Sequence, residues 1–344
     1  MKKFVSILMS LVLVLAFAAC GNSAAPETPA PGSSAPETPA AQPADDGIVI
    51  GVSMAMLDEN FSAIYHLLEE NIKGIDPNAK VIMTNAESSI EKQMGDVDSL
   101  IIQEPDAILI GPVDAIGSKP AVQAIVNAGI PCADFLFNVD EPIPDVQAIT
   151  SDELTNGKLQ GEFVNEWLEA NPDKNLVAGY IKGAAAQTEQ LKRYDGFKEV
   201  CVDAWAAKDA SRIRLVADTN CNWTAPEAMN VTEDWLQAFP EMNCIVTASD
   251  EMAVGVINVL KAQNIPLDEF LVVSVDGTEN GQIHVREGSL DATIYTNYGL
   301  EMVKLAEIMY NMATGSNTYQ KTEFIGEGAI QIITPENIDE IIPQ

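Results

Sequence analysis

Positive charge is scarce in this chain. Its 344 residues include 19 lysines and arginines against 51 aspartates and glutamates, a formal net charge of −32. A surface this acidic repels nucleic acid and anionic lipid, which excludes nucleic-acid binding and electrostatic docking on a membrane. Aromatic residues are also few, at 6%, but 47% of the residues are hydrophobic, which is ordinary for a globular protein.

Metal-binding and enzymatic signatures are missing as well. The chain has two histidines and no CxxC pair, so a structural zinc site is excluded. No G-x-G-x-x-G follows a predicted strand, and no nucleophile elbow is present. We therefore expect no metal, no cofactor and no catalytic residues, and hence a protein that is not an enzyme.

Five cysteines are present, and the first differs from the others in its surroundings. Cys132, Cys201, Cys221 and Cys244 lie within the globular part of the sequence. An extracellular location permits disulfides, and the pair we would expect, if one forms, is Cys201 with Cys244. The sequence favours the alternative, in which all four are free buried thiols.

The N-terminus has the order of an export signal. Lys2 and Lys3 precede a 14-residue apolar run at 4–17, and small residues precede Cys20. This order is typical of a secretory signal, and at ~1.5 Å per residue the run is too short to cross a ~30 Å bilayer comfortably. Cys20 after small residues resembles the bacterial lipobox, in which the cysteine is acylated and becomes the new N-terminus. We predict a signal peptide at 1–19 and lipidation of Cys20.

A low-complexity segment follows the lipobox. The hexapeptide APETPA occurs twice, at 25–30 and 35–40, and such a composition cannot bury enough apolar surface to fold. We assign residues 20–47 to the lipidated cysteine and a disordered Pro/Ala linker, which at ~3.1 Å per residue could reach roughly 80 Å. The expected location is extracytoplasmic, at the outer face of the cytoplasmic membrane (cell surface or periplasm), with the lipid as the only membrane contact.

From residue 48 onward, short apolar runs alternate with amphipathic helices. Runs of this kind suit strands buried on both faces of a parallel sheet. Strand–helix alternation predicts doubly wound α/β sheets, and ten strands are too many for one compact sheet. The predicted strands lie at 48–55, 80–84, 107–113, 131–137, 146–150, 176–182, 214–219, 244–248, 270–275 and 291–295.

We therefore predict two Rossmann-like, doubly wound lobes joined by a hinge. The N-terminal lobe comprises 48–150 plus about 298–326, and the C-terminal lobe comprises 151–297 plus about 327–344. Ligands of such sheets bind beyond the carboxyl ends of the strands. Those ends carry polar residues and two large aromatics, Phe61 and Trp223, which are poor helix caps. A ligand cleft between the lobes is the resulting prediction.

Five motifs at these strand ends resemble those of the type I periplasmic sugar-binding proteins of ABC transporters, most of all the galactose/glucose-binding receptors. The resemblance covers roughly residues 48–343. The matching segments are Asp58-Glu59-Asn60-Phe61, Lys182-Gly183 followed by Arg193, Trp223-Thr224-Ala225 followed by Trp235-Leu236, Ser249-Asp250-Glu251-Met252-Ala253-Val254-Gly255, and Val275-Asp276-Gly277.

The resemblance implies a set of ligand-binding residues. In the family an aromatic from each lobe stacks on the sugar ring, while carboxylates and an arginine bond its hydroxyls. Asp134 is an alternative to Asn138. The asparagine that the family has after the later hinge strand falls on Thr296 here, and Asn297 is the next residue. Ser249 stands where the family has asparagine. The implied residues are Glu59, Phe61, Asn138, Gln187, Glu189, Arg193, Trp223, Ser249, Asp276 and Asn297.

The resemblance also implies a function and partners. The expected protein is a monomeric receptor that captures a monosaccharide, such as the hexoses galactose or glucose, and delivers it to an ABC permease and its ATPase. The calcium loop of the galactose-binding type is absent, because 171–175 is too short.

Two other functions stay open at this point. One is a sensor that presents a sugar or an autoinducer-like furanose to a signalling partner. The other is a glycan-cleaving enzyme using Glu59 and Asp276, which should turn over a bound sugar.

Overall fold

The computed structural model describes residues 47–57, 59–139, 141–316, 323–325 and 329–343. The predicted signal peptide, Cys20 and nearly all of the linker lie outside the described residues, and so does the side chain of Glu59. Within this part of the chain, no helix is both long enough and apolar enough to cross a membrane.

Strands and helices alternate along the chain, as the apolar runs predict. The strands are β1 (Val49–Met54), β2 (Lys80–Asn85), β3 (Ala107–Ile110), β4 (Cys132–Phe135), β5 (Val146–Thr150), β6 (Leu176–Lys182), β7 (Ile213–Asn220), β8 (Cys244–Thr247), β9 (Leu271–Asp276), β10 (Ala292–Thr296), β11 (Glu323–Phe324) and β12 (Ile330–Ile333). The helices are α1 (Glu59–Ile75), α2 (Ile90–Ile102), α3 (Lys119–Asn127), α4 (Glu153–Ala170), α5 (Glu189–Phe197), α6 (Asp203–Lys208), α7 (Ala225–Ala238), α8 (Asp250–Ala262), α9 (Glu279–Arg286), α10 (Tyr298–Ala313) and α11 (Ile338–Ile341).

Two six-stranded sheets form, one in each lobe, and they repeat the same winding. The first has the order β11-β5-β4-β3-β1-β2, and the second has the order β12-β10-β9-β8-β6-β7. Within them the paired strands run parallel, except that β12 is antiparallel to β10. The prediction of an α/β fold with two parallel-sheet lobes is confirmed. In each sheet the winding reverses at the first strand, where doubly wound folds open a ligand crevice.

The chain passes between the two sheets three times. It leaves the first sheet after β5, returns after β10 through α10, which packs against α1, and crosses again between β11 and β12. A buried hydrogen bond connects the first of these crossings to α10. The Ser151 hydroxyl donates to the carboxylate of Glu301 on α10, with distances of 2.8 and 2.7 Å to the two oxygens. This contact ties two of the connecting segments together.

Each lobe has its own hydrophobic core. The core of the second lobe lies on both faces of its sheet, around fully buried residues such as Tyr180 and Phe197. The first lobe has one apolar cluster around β1, α1 and α10 and another around β3, α2 and α3. Packing between α4 and α5 is unusually close, since a Cβ on Gly157 would lie 1.9 Å from the Arg193 carbonyl oxygen. This approach fixes the middle of α5 against α4.

The four cysteines of the globular part are all buried and free. Burial raises the pKa of the Cys201 thiol to about 12 and that of Cys221 to about 11. They are therefore neutral core residues at physiological pH, which matches the reading that the sequence favours.

Candidate ligand-binding site

A cavity of about 610 Å³ lies between the two lobes, beyond the carboxyl ends of the strands. This volume is within the usual range for small-molecule sites. On the first-lobe side it is lined by Met56, Phe61, Ala63, Ile64, Leu67, Leu136, Phe137, Tyr298 and Gly299. On the second-lobe side it is lined by Glu153, Glu189, Arg193, Asn222, Trp223, Thr224, Ser249, Glu251, Asp276, Gly277, Thr278, Glu279, Asn280, Tyr295 and Thr296.

Trp223 is held in place by three local features. Its backbone has a φ of 63°, in the left-handed region that few non-glycine residues adopt. Its indole Nε1 donates a hydrogen bond of 2.5 Å to Gln187 Oε1, and Gln187 is itself buried. A Cβ on Gly183 would lie 2.0 Å from the indole, so only glycine leaves room for the ring. The indole is therefore fixed as part of the cavity wall before any ligand arrives.

Phe61, near the start of α1, belongs to the opposite wall. Its ring packs edge-on against Phe137, with 5.6 Å between the ring centroids. Trp223 and Phe61 thus present aromatic surface to the cavity from different lobes. Aromatic surfaces of this kind can contact the apolar C–H face of a ring-shaped ligand.

Three buried charged side chains form an ion triad on the second-lobe side of the cavity. Arg193 Nε lies 2.5 Å from Glu153 Oε2, and one terminal nitrogen lies 3.1 Å from Asp276 Oδ1. The same nitrogen donates to the Ala248 carbonyl oxygen. Burial raises the pKa of Asp276 to about 7, while Arg193 acts in the opposite direction. The two carboxylates raise the pKa of Arg193 well above its usual value, so the guanidinium is always charged.

Asp250, at the start of α8, organises the neighbouring loops. Its carboxylate accepts hydrogen bonds from Thr293 Oγ1 at 2.7 Å, from the Thr278 backbone N at 2.7 Å and from the Ser274 hydroxyl. These contacts join β9, the turn that follows it, and β10 to α8. Asp250 does not line the cavity but fixes the loop that carries Asp276.

The cavity brings together six of the ten residues that the sequence analysis selected. Gln187 contacts it only indirectly, through its hydrogen bond with Trp223. Glu59 begins α1, but its side chain lies outside the described residues. The six that line the cavity are Phe61, Glu189, Arg193, Trp223, Ser249 and Asp276.

Two predicted residues have other positions. Asn138 lines a separate cavity of about 400 Å³, and its side-chain amide donates to the carbonyl oxygens of Asp134 and Ile149. Asn297 caps α10 by accepting from the Leu300 backbone N at 3.3 Å. Thr296, the alternative to Asn297, does line the large cavity. The amides of both asparagines thus have structural partners in the protein itself.

Sequence reasoning missed several cavity residues. Glu153 sits at the first turn of α4, directly after the first lobe crossing, where its position looks like that of an ordinary helix-start acid. Leu136 and Phe137 directly follow β4 and line the cavity, whereas the sequence analysis selected Asn138, one residue further on. The apolar run that continues past β4 is the signal that could have identified them.

No group of three histidine, cysteine, aspartate or glutamate side chains in the described part of the chain could hold a metal ion. The described side chains that line the cavity offer hydrogen bonding, charge pairing and aromatic contact.

Buried carboxyl groups should make the stability of the protein depend on pH. Burial raises the pKa of Glu189, Asp276 and Glu301 to about 7, against a usual value near 4. Between these values the folded state binds more protons than the unfolded state, so stability is present at pH 4 and lost as the pH rises through 7. We expect the melting temperature without ligand to be about 5 °C lower at pH 8 than at pH 5, by calorimetry. Glu301→Gln should reduce this difference, and a melting temperature that rises with pH would contradict the assignment.

Comparison with known proteins agrees with the fold. The periplasmic binding protein domain family matches residues 50–317. The chain belongs to this family, whose members include the type I sugar-binding proteins of ABC transporters. It is a binding protein and not an enzyme, and proteins of this family work outside the cytoplasm.

Two curated relatives and one solved structure illustrate the similarity. The ribose import binding protein of Bacillus subtilis (strain 168) is 24% identical over 303 residues, 86% of this chain and 88% of the relative. The xylitol-binding protein of Mycolicibacterium smegmatis is 25% identical over 285 residues, 80% of this chain and 76% of the relative. A solute-binding protein of an ABC transporter from Bacillus halodurans C-125, solved with myo-inositol, superposes with a TM-score of 0.76 at 24% identity, covering 87% of this chain and 99% of that one.

Proposed function

We propose that the protein captures a monosaccharide or a related small polyol between its lobes and delivers it to an ABC permease. The observation that carries this proposal is the cavity of about 610 Å³ with Trp223 and Phe61 on opposite walls. A pyranose, furanose or cyclitol offers apolar C–H faces that fit between aromatic rings, with hydroxyls around its edge. Asp276, Glu189 and Ser249 supply acceptors for those hydroxyls.

Closure of the lobes around the ligand is the proposed mechanism. The three chain crossings form the hinge, and the ligand contacts both lobes. A ligand that touches both walls binds the closed arrangement more tightly than the open one, so it shifts the population towards closure. The permease then recognises the closed, loaded protein.

The particular polyol is a finer proposal. The sequence analysis predicts a hexose such as galactose or glucose, while the names of similar proteins mention ribose, xylitol, D-allose and myo-inositol. Leu136 and Phe137 add apolar surface to the first-lobe wall, which suits the C–H groups of any of these ligands. We therefore include pentoses and cyclitols beside hexoses. Anchoring through a lipid on Cys20 is part of the proposal and keeps the cleft near the permease.

A thermal-shift screen of the mature protein tests this function. A ligand that binds only the folded state raises the melting temperature, by mass action. We expect at least one sugar or polyol to do so in a panel of hexoses, pentoses, alditols, inositols and furanosides. Amino acids and nucleosides serve as control classes. If only a control class stabilises the protein, the proposed ligand class is wrong.

A further inference from the structure

Charge is distributed unequally between the two walls of the cavity. The first-lobe side chains described there are apolar or aromatic, with Tyr298 as their polar member. The second-lobe wall carries one cation, Arg193, among five carboxylates in the described part of the chain: Glu153, Glu189, Glu251, Asp276 and Glu279. A neutral sugar needs hydroxyl acceptors, but it does not need an excess of negative charge.

Arg193, the single cation among the described side chains of this wall, already has partners within the protein. Arg193 pairs with Glu153 at 2.5 Å and with Asp276 at 3.1 Å, and it also donates to the Ala248 carbonyl oxygen. Among the described residues, Glu189, Glu251 and Glu279 form no salt bridge. Three carboxylates of the wall thus have no salt-bridge partner among the described residues.

Glu189 is the buried member of these three. Its side chain is only 2% exposed, and Oε1 accepts a 2.9 Å hydrogen bond from the Thr188 hydroxyl. Its other oxygen, Oε2, is buried without a hydrogen-bond partner among the described residues. A buried carboxylate oxygen without a donor is costly, so such a group is expected to meet a donor in the functional complex. The residue lines the ligand cavity, which is where that donor would come from.

The surroundings of Glu189 also favour a cationic donor over a neutral one. Burial and the nearby carboxylate of Glu153 raise its pKa to about 7, while Lys192, on the same helix, acts in the opposite direction. A hydroxyl would satisfy one lone pair and leave the excess charge. An ammonium would satisfy the same lone pair and also be attracted by Glu251 and Glu279. A metal ion is a poorer occupant, because no three-ligand cluster lies in the described part of the chain.

We propose that the ligand is an amino-substituted polyol, an amino sugar or aminocyclitol, whose protonated amine pairs with the carboxylate of Glu189. This inference rests on the proposed function, since it assigns one substituent of the polyol. The ring of such a ligand lies between Trp223 and Phe61, with its amine directed at the second lobe. The apolar side chains described on the first-lobe wall, such as Phe61 and Phe137, then exclude water from the ion pair, which strengthens it.

Paired ligands provide the test, measured by isothermal titration calorimetry on the mature wild-type protein at pH 7. The pairs are glucosamine with glucose, galactosamine with galactose, and an inosamine with myo-inositol, and each N-acetylated amine serves as an uncharged control. We expect the amine of at least one pair to bind at least tenfold more tightly than its neutral partner and its acetylated form. Neutral members that bind as tightly as the amines, or more tightly, would overturn this inference and leave the proposed function standing. Absence of binding by every polyol would overturn both.

Variants locate the amine. Glu189→Gln removes the charge at constant size, so the amine-to-neutral affinity ratio should fall at least tenfold. Glu162→Gln removes one charge from the exposed face of α4, away from the cavity, and should leave that ratio within threefold of wild type. Equal effects of both variants would mean that only the overall negative charge attracts the amine, which overturns the assignment to Glu189. The ligand pairs need no variant, so the test stands even if Glu189→Gln folds poorly.

Discussion

Replacing Arg193 by methionine should lower the free energy of unfolding by about 3–5 kcal/mol, the usual cost of removing one partner from a buried ion pair. Glu153 and Asp276 are both buried and contact the guanidinium directly. Without it, two buried carboxylates lose their counter-charge, and the Ala248 carbonyl oxygen loses a donor. Urea denaturation followed by circular dichroism measures the loss.

A matched variant separates lost charge balance from lost packing. Arg193→Met combined with Glu153→Gln and Asp276→Asn removes all three charges at nearly constant volume. We expect this triple variant to recover most of the stability, because replacing a whole buried ionic cluster is often close to neutral. If the single variant loses less than about 1 kcal/mol, the triad does not hold the second-lobe wall together.

The second large effect concerns ligand affinity. Trp223→Ala should weaken binding of the ligand found in the screen by at least tenfold and abolish the ligand-induced change in tryptophan fluorescence. The indole supplies most of the aromatic surface on the second-lobe wall, and stacked aromatic contacts contribute about 0.5–1.5 kcal/mol beyond the area that they bury. Trp167→Phe, on α4 outside the cavity, is the control and should leave affinity unchanged.

A glycine gives an independent check on the position of the indole. Gly183→Ala keeps Trp223 but places a Cβ about where the ring lies, at 2.0 Å from one of its carbons. We expect this variant to weaken binding as well, by displacing the ring and its hydrogen bond to Gln187. Unchanged affinity in both Trp223→Ala and Gly183→Ala would remove Trp223 from the site.

The fold could be predicted because its signals are local. A strand buried on both faces must be apolar along its length, and ten such runs separated by helices leave few alternatives to two parallel sheets. β11 and β12 were missed because they are short, with two and four residues, and lie at sheet edges where burial dictates little. Their pairing depends on where the chain crosses between lobes, which no local pattern encodes.

The candidate site was predictable only in part, for a related reason. Trp223 and Phe61 could be predicted because large aromatic residues are poor helix caps, so their position after strands indicates another role. Asn138 and Asn297 look identical in sequence to ligand-binding amides, but their partners are a carbonyl oxygen and a helix N-terminus in the structure. Glu153 could not be recognised from sequence, because its importance comes from Arg193, 40 residues away along the chain.

The unequal walls of the cavity set the order in which recognition occurs. Every charged side chain described there belongs to the second lobe, and the first lobe adds mainly aromatic and aliphatic surface. A ligand can therefore be oriented and distinguished from its isomers while the cleft is still open. Closing the first lobe over it then adds the contacts of Phe61 and prolongs its residence time. Substitution of Phe61 should accordingly change the dissociation rate, whereas substitutions of the charged side chains on the second-lobe wall should change which ligand is chosen.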